Sequence, residues 1–194
     1  MNFLAHIYLS GEDDMIKLGN FMADGIRGND YKSMPDPIRK GVILHREIDT
    51  FTDAHPLFRQ STKRLHPRYH HYAGVIVDVF YDHFLAKNWI EYSDEPLEEY
   101  VARFYQLLND NYHLLTPKTK GILPVMVQHN WLLSYRETRG IAKILSQMDR
   151  RTKFRSKMGF SVEELLLHYA EFEAEFTAFF EELRNYAAQR LMHA

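Results

Sequence analysis

Residues 72–89 restrict the fold of this chain more than any other segment. Apolar side chains at helical spacing surround almost the whole circumference, which predicts a helix that is buried on all sides. These residues are Val75, Ile76, Val77, Val79, Phe80, Phe84 and Leu85. Asp78 and Asp82 lie one turn apart within the run. An unpaired buried carboxylate costs several kcal/mol and neighbouring carboxylates repel, so both require a cation, an Arg or His partner, or backbone groups to cap.

Helical spacing of apolar residues recurs along the chain, and few segments alternate with the period of two that strands require. The sequence therefore predicts one all-α domain of about eight or nine helices over residues 1–194. Ser10 and Ser161 are the predicted N-caps of two helices, and Pro67 is predicted to end a short basic one. Phe172, Phe176, Phe179 and Phe180 are predicted core residues. The predicted helices cover residues 2–9, 10–24, 35–55, 57–65, 72–89, 93–112, 124–133, 137–148 and 161–185.

Composition excludes several classes of protein. The 194 residues include no cysteine, which excludes a disulfide scaffold, a zinc–thiolate or iron–sulfur site and a cysteine nucleophile. The formal net charge of −2 argues against bulk nucleic-acid binding. The first residues lack the pattern of a secretory signal, and no segment approaches the ~18 apolar residues of a membrane span. We therefore expect a cytoplasmic protein with neither a nucleic acid nor a membrane as partner.

A row of metal-ligating residues lies within residues 41–53. His45, Asp49 and Asp53 follow one another at intervals of four, which places neighbouring Cβ atoms about 5–6 Å apart on one helix face. Imidazole nitrogen and carboxylate oxygen on one face suit Mn²⁺, Mg²⁺ or Fe²⁺. The alternative is a polar face exposed to solvent. His71 precedes Asp78 by two turns on the same predicted face.

Residues 19–28 contain a candidate phosphate-binding turn. Asp24 is flanked there by glycines that permit close approach of a ligand, and Arg27 can bind a phosphate through two hydrogen bonds. A plain helix C-cap explains the same residues equally well.

Charge is segregated along the chain, although its total is near zero. The last predicted helix is acidic, whereas two other runs are basic and contain no acid. Such patches attract charged partners, unless they are only solvated faces. The basic runs contain Arg59, Lys63, Arg64 and Arg68 in the first, and Arg150, Arg151, Lys153, Arg155 and Lys157 in the second.

Four segments, taken together and in this order, point to a known family. They are MNFLAHIYLS, GNFMADGIRG, GVILHREIDTFTDAHP and YHHYAGVIVDVFYDHFLA, all within residues 1–86. The chain resembles the acyl carrier protein phosphodiesterases, closely over roughly the first 90 residues and in length and helical character beyond them. The resemblance implies hydrolysis of the phosphodiester that joins 4′-phosphopantetheine to a serine of acyl carrier protein. It also implies a divalent metal, with Mn²⁺ favoured and Mg²⁺ or Fe²⁺ as alternatives, and a fold similar to a divergent, all-α HD phosphohydrolase.

The expected metal ligands for this chemistry are Asp24, His45, Asp49 and Asp78. No His is followed directly by Asp in this chain, so the ligand set of an ordinary HD site is not carried over by position. Asp82 is expected to be a further ligand or to orient a ligand histidine.

Other residues receive catalytic and binding roles from the same resemblance. His71 or His83 is expected to protonate the leaving serine oxygen, and Arg27 and Arg46 to bind the phosphate. Because acyl carrier protein is acidic, a basic face is expected to dock it. The first basic run is the expected dock and the second is its alternative. Exchanging Arg64 and Arg68 for Glu is expected to raise KM more than it lowers kcat.

Two other functions fit parts of the pattern. A metal phosphohydrolase of the same fold that acts on a small nucleotide would not need basic docking faces. A helical adaptor without enzymatic activity would need no metal and would tolerate Asp78→Ala apart from an effect on stability.

Overall fold

The computed structural model describes residues 2–193, which form α-helices and short 3-10 turns but no strand. The prediction of an all-α fold is therefore confirmed. No helix within these residues is both long enough and apolar enough to cross a membrane. The α-helices are α1 (Phe3–Tyr8), α2 (Asp14–Met22), α3 (Asp36–Ala54), α4 (Pro56–Tyr69), α5 (Ala73–Lys87), α6 (Leu97–Asp110), α7 (Pro117–Gln128), α8 (Trp131–Ser134), α9 (Thr138–Arg151), α10 (Val162–Leu167) and α11 (Tyr169–His193).

Helix α5 lies at the centre of the molecule, as its apolar circumference predicts. It packs against α1, α4, α9 and α11, which come from both ends of the chain. Eleven of its 15 residues are buried, and Asp82 and His83 are among them. The four phenylalanines of α11 that were predicted to be core are completely buried. One hydrophobic core therefore joins the helices into a single domain.

Two glycines permit a close approach of α2 and α3. A Cβ atom at Gly19 would overlap the backbone carbonyl of Ile38, and one at Gly41 would overlap the backbone carbonyl of Ile16. The two backbones therefore touch directly where the helices cross. Asn20 follows Gly19 on α2, and His45 lies one turn after Gly41 on α3. This contact consequently sets the distance between the Asn20 and His45 side chains.

Of the two predicted serine caps, Ser10 is wrong, and Ser161 is confirmed in position only: it directly precedes α10, but its side chain makes no capping hydrogen bond. Asp13, and not Ser10, caps α2 by accepting hydrogen bonds from the first backbone N–H groups of that helix. The Ser10 hydroxyl donates instead to the carbonyl of His6, and the Ser161 hydroxyl donates to the carbonyl of Met158. The hydroxyl of a serine next to a helix start can either cap that helix or donate to a carbonyl of the preceding turn, and the sequence does not distinguish the two.

Several predicted helix limits are also wrong. Pro67 lies inside α4, which continues to Tyr69, and Pro124 lies inside α7. The hydrogen bond that Pro67 cannot donate would reach the carbonyl of Lys63, in an exposed part of α4 where water can replace the lost donor. The last predicted helix is interrupted at His168, which separates α10 from α11. Residues 2–193 consequently contain eleven α-helices, more than expected.

Replacing Gly41 by Ala is expected to destabilise the protein, because the new Cβ would overlap backbone atoms of α2. Overpacking of this kind costs about 1–3 kcal/mol, and each kcal/mol lowers Tm by about 2–4 °C in a chain of this size. Gly121→Ala in α7 is the matched control, because its Cβ would meet no atom within 4 Å. Thermal unfolding followed by circular dichroism measures both variants. Equal Tm values would contradict the close approach of α2 and α3.

Candidate metal centre

A pocket of about 430 Å³ opens beside the N-terminal half of α5. Side chains from α1, α3, α5, α7, α8 and α9 meet around it, and the 3-10 turn Ala23–Gly25 adds Asp24. One side is acidic and contains histidines, and the opposite side is mainly apolar. The lining residues are Asn2, Phe3, His6, Asp24, His45, Asp49, Asp53, Val75, Asp78, Lys118, Ile122, Trp131, Tyr135, Ile144, Gln147, Met148 and Arg151.

Two buried histidines are held in one orientation by a single amide. The rings of His6 and His45 stack with their centroids 4.0 Å apart, and both Nδ1 atoms reach Oδ1 of Asn20, at 2.9 and 3.1 Å. The amide cannot be turned over, because its Nδ2 donates to the carbonyl of His6 and to the hydroxyl of Ser10. Since Oδ1 only accepts, both Nδ1 atoms donate, and both Nε2 atoms are left to accept a proton or bind a metal.

The two Nε2 atoms face carboxylates. Asp49 lies 3.2 Å from Nε2 of His6 through one oxygen and 3.1 Å from Nε2 of His45 through the other. Oδ1 of Asp24 lies 3.4 Å from Nε2 of His45. His6, His45 and Asp49 offer ligand atoms within 4.8 Å of one another. Imidazole lone pairs directed at anionic oxygens require a proton or a cation between them, so this donor set fits a divalent ion.

Protonation of the metal-free cluster follows from these contacts. Burial by itself lowers the pKa of His45, but the hydrogen bonds and charges of Asp24 and Asp49 outweigh burial and raise it to about 9. Burial and the neighbouring His45 lower the pKa of His6 to about 4. The hydrogen bond from His45 lowers the pKa of Asp24 to about 2. At neutral pH, Nε2 of His45 is therefore also protonated and this ring is a cation, whereas Nε2 of His6 is not protonated and that ring is neutral.

Asp82 acts on the site through helix α1. Its two oxygens accept hydrogen bonds from the backbone N–H groups of Leu4 and Ala5, at 2.8 and 3.1 Å. These N–H groups belong to the first turn of α1, which has no partner for them within the helix. A completely buried carboxylate on α5 therefore fixes the start of α1, and with it His6 one or two residues later. Asp82 does not line the pocket.

The remaining acids predicted for the site lie around the cluster. Asp78 lines the pocket from α5 and is half-buried, and burial raises the pKa of its carboxyl. Asp53 lines the pocket from an exposed position on α3. The structure thus brings all four predicted metal ligands, Asp24, His45, Asp49 and Asp78, to one pocket.

Two cations at the pocket differ from the two that were predicted. Lys118 Nζ lies 3.4 Å from Oδ2 of Asp24, and Arg151 lies with its guanidinium 5.9 Å from the centre of the Trp131 ring. Arg27 is exposed and does not line the pocket. Arg46 also lies outside it, with its guanidinium over the ring of Tyr31 at 4.7 Å.

Both histidines that were predicted to transfer a proton lie outside the pocket. His83 is buried and bridges other helices, with Nδ1 donating to the carbonyl of Tyr135 and Nε2 accepting from the hydroxyl of Tyr169, each at 2.7 Å. His83 therefore supports the Tyr135 wall of the pocket from behind. His71 is exposed and packs on the ring of Tyr72.

The first basic run is partly neutralised within the molecule. Arg64 binds the buried carboxylate of Glu175 on α11 through both terminal nitrogens, at 2.9 and 2.6 Å. Arg68 pairs with Glu163 and Glu164 on α10. Arg59 and Lys63 remain exposed on α4.

Sequence reasoning missed three members of the pocket. His6 lies in the short apolar segment MNFLAHIYLS. A polar histidine among apolar residues is the feature that could have indicated it, because no regular spacing connects it to His45. Lys118 and Arg151 come from distant helices, although Arg151 belongs to the second basic run.

Comparisons with known proteins agree with the resemblance seen in the sequence. The family described as acyl carrier protein phosphodiesterase matches residues 1–183. An acyl carrier protein phosphodiesterase of Photorhabdus laumondii is 32% identical over 181 residues, which cover 93% of this chain and 91% of the relative. That of Pectobacterium atrosepticum is 31% identical over 189 residues, 96% of this chain and 97% of the relative. No solved structure matches the chain significantly.

Asp82 makes the free energy of unfolding depend on pH, and the substitution Asp82→Asn is expected to remove this dependence. Burial raises its pKa from 3.8 to about 7 against the opposing effect of the two N–H groups, so the folded protein binds this proton more tightly than the unfolded chain. Its contribution to stability is therefore largest below pH 4 and falls as pH rises through about 7, by at most ~1.4 kcal/mol per pH unit.

The free energy of unfolding of the wild type, relative to Asp82→Asn, is thus expected to fall by about 1–3 kcal/mol between pH 5 and pH 8. Urea unfolding of both proteins in EDTA measures this difference. An equal difference in unfolding free energy between the two proteins at pH 5 and pH 8 would contradict the raised pKa of Asp82.

Proposed function

The chain belongs to the acyl carrier protein phosphodiesterase family, and we propose that its pocket hydrolyses the phosphodiester between 4′-phosphopantetheine and a serine of acyl carrier protein. A water oxygen bonds to phosphorus while the bond from phosphorus to the serine oxygen breaks. The products are carrier protein with a free serine hydroxyl and 4′-phosphopantetheine. The observation that carries the proposal is the convergence of His6, His45 and Asp49 on one point of a pocket that also presents cations.

We propose a divalent metal ion as cofactor, with Mn²⁺ favoured and Mg²⁺ or Fe²⁺ as alternatives. His6, His45 and Asp49 would hold it, with Asp24 and Asp78 as the neighbouring carboxylates. When bound, such an ion neutralises charge on the phosphate and lowers the pKa of a water molecule. The preset tautomers support this assignment, because both Nε2 atoms are directed at the same point by Asn20.

The other walls of the pocket have roles that follow from their chemistry. Lys118 and Arg151 are placed to neutralise the non-bridging phosphate oxygens, the role expected for Arg27 and Arg46. Val75, Ile122 and Trp131 offer an apolar wall for the substrate arm and exclude water from one side of the phosphate.

The leaving serine oxygen needs a proton. His71 and His83 lie outside the pocket, so a group that lines it has to supply this proton. Asp78 lines the pocket with a carboxyl whose pKa is raised by burial, and it is the lining acid that best fits this role.

The wider classification of the chain follows from the same features. We propose one phosphodiesterase domain over residues 1–194, related to the HD phosphohydrolases. Support comes from histidine and carboxylate ligands on neighbouring helices of an all-helical domain. The cytoplasmic location stays a prediction.

Asp49→Asn is expected to weaken Mn²⁺ binding at least ~10-fold, because it removes the negative charge of the carboxylate whose two oxygens face the two histidines. His71→Ala is the matched control, since His71 is an exposed histidine outside the pocket and is expected to leave the affinity unchanged. Titration of Mn²⁺ followed by electron paramagnetic resonance measures both variants, and circular dichroism verifies folding. An unchanged affinity in Asp49→Asn would refute the proposed ligand set.

Holo-acyl carrier protein is expected to lose the mass of 4′-phosphopantetheine when incubated with the protein and Mn²⁺, but not with EDTA or with Asp49→Asn. Intact mass spectrometry of the carrier measures this directly. Failure to cleave the carrier with any divalent metal would overturn the proposed function. Cleavage of a small nucleotide diester in the same experiment would then favour the nucleotide phosphohydrolase.

A further inference from the structure

A basic surface without acidic partners lies at the end of α9. Its charged residues are all exposed, and none forms an ion pair within residues 2–193. The rings of Phe154 and Phe160 are 65% and 54% exposed beside them. The surface, called the α9 surface below, consists of Arg150, Arg151, Lys153, Phe154, Arg155, Lys157 and Phe160.

A buried polar cluster holds the α9 surface in place. The Asp149 carboxylate, which is 4% exposed, accepts a hydrogen bond of 2.6 Å from the hydroxyl of Ser156. Lys153, Phe154 and Lys157 adopt left-handed backbone conformations, with φ between 56° and 61°. Such conformations persist in residues other than glycine only where the surroundings fix them. The charged side chains are therefore presented on an ordered loop, which reduces the entropy lost when a partner binds.

The α9 surface borders the pocket, and the α4 face does not. Gln147, Met148 and Arg151 of α9 line the pocket, whereas no residue of α4 is among the lining residues within the described chain. Two of the four basic residues on the α4 face are also committed to acids of α10 and α11. An acidic partner would thus meet unpaired positive charge at the mouth of the pocket.

We propose that the α9 surface docks the acidic carrier protein, an inference that rests on the proposed function. The scissile bond lies at a serine of the carrier, so the carrier has to sit at the mouth of the pocket during the reaction. Unpaired cations there attract an acidic surface and orient it, and exposed rings beside them offer apolar contact. This surface replaces the α4 face as the expected dock.

The test compares two charge reversals of equal size. The loop variant is Lys153→Glu with Arg155→Glu, and its matched control is Arg59→Glu with Lys63→Glu on α4. All four side chains are exposed and lie outside the pocket. Arg59 also donates a hydrogen bond of 2.9 Å to the backbone carbonyl of Asp53, so the constants of the control on the peptide verify that its pocket is unaffected. The measurements are kcat and KM on holo-carrier, the same constants on a short synthetic peptide carrying phosphopantetheinyl serine, and direct binding of apo-carrier at low and physiological salt.

The loop variant is expected to raise KM for holo-carrier about 10-fold or more, to leave kcat within about 2-fold, and to leave KM for the peptide unchanged. Its affinity for apo-carrier should fall to the same extent, and the control should match the wild type. A larger effect of the α4 pair, or equal apo-carrier binding by all three proteins, would overturn the docking proposal. Absence of cleavage by the wild type would refute the proposed function alone, because apo-carrier binding measures docking independently.

Discussion

The backbone contact between α2 and α3 is the constraint on which the cluster of His6, His45 and Asp49 depends. Without side chains at Gly19 and Gly41, the helices approach until Asn20 reaches His45 on α3 and His6 on α1 at the same time. N–H···O hydrogen bonds span only about 2.7–3.2 Å. A separation of α2 and α3 by about 1 Å would therefore release the His45 ring from Asn20, and the shared direction of the two Nε2 atoms would be lost.

Buried polar side chains orient the two histidine rings and helix α1 in this protein. Asn20 is completely buried, and its amide satisfies four partners, while Asp82 satisfies two helix-start N–H groups. Apolar side chains at these positions could not form these hydrogen bonds and would impose no direction on an imidazole ring. Partly satisfied networks are costly in a core, so full satisfaction explains why the arrangement holds together. The result is a cluster of histidine and carboxylate side chains whose orientation is set by packing within the protein.

Charge is distributed according to what each surface faces. The basic residues of α4 lie against the acidic α11, and one pair, Arg64 with Glu175, is largely buried between the two helices. There the segregated charge serves the contact between helices. The basic residues of the loop after α9 form no ion pair with an acid of residues 2–193, and they are exposed to solvent beside the pocket. Two basic runs that look equivalent in the sequence therefore differ in their ion pairs, which is the basis of the proposed docking surface.

The all-α class, the central position of α5 and the aromatic core of α11 could be predicted from the amino-acid sequence, because the helical periodicity of apolar residues is a local property of the chain. The sequence also placed His45 and Asp49 on one face, since residues four apart on one helix must be neighbours. Three relations could not be predicted in this way: His6 lies beside His45 and Asp49, Asp82 anchors α1, and Lys118 and Arg151 line the pocket whereas Arg27 and Arg46 do not. These relations join residues on different helices, and they depend on how closely the helices approach and at what rotation. Both are set by packing contacts, such as Gly19 on Ile38, that a local pattern does not specify.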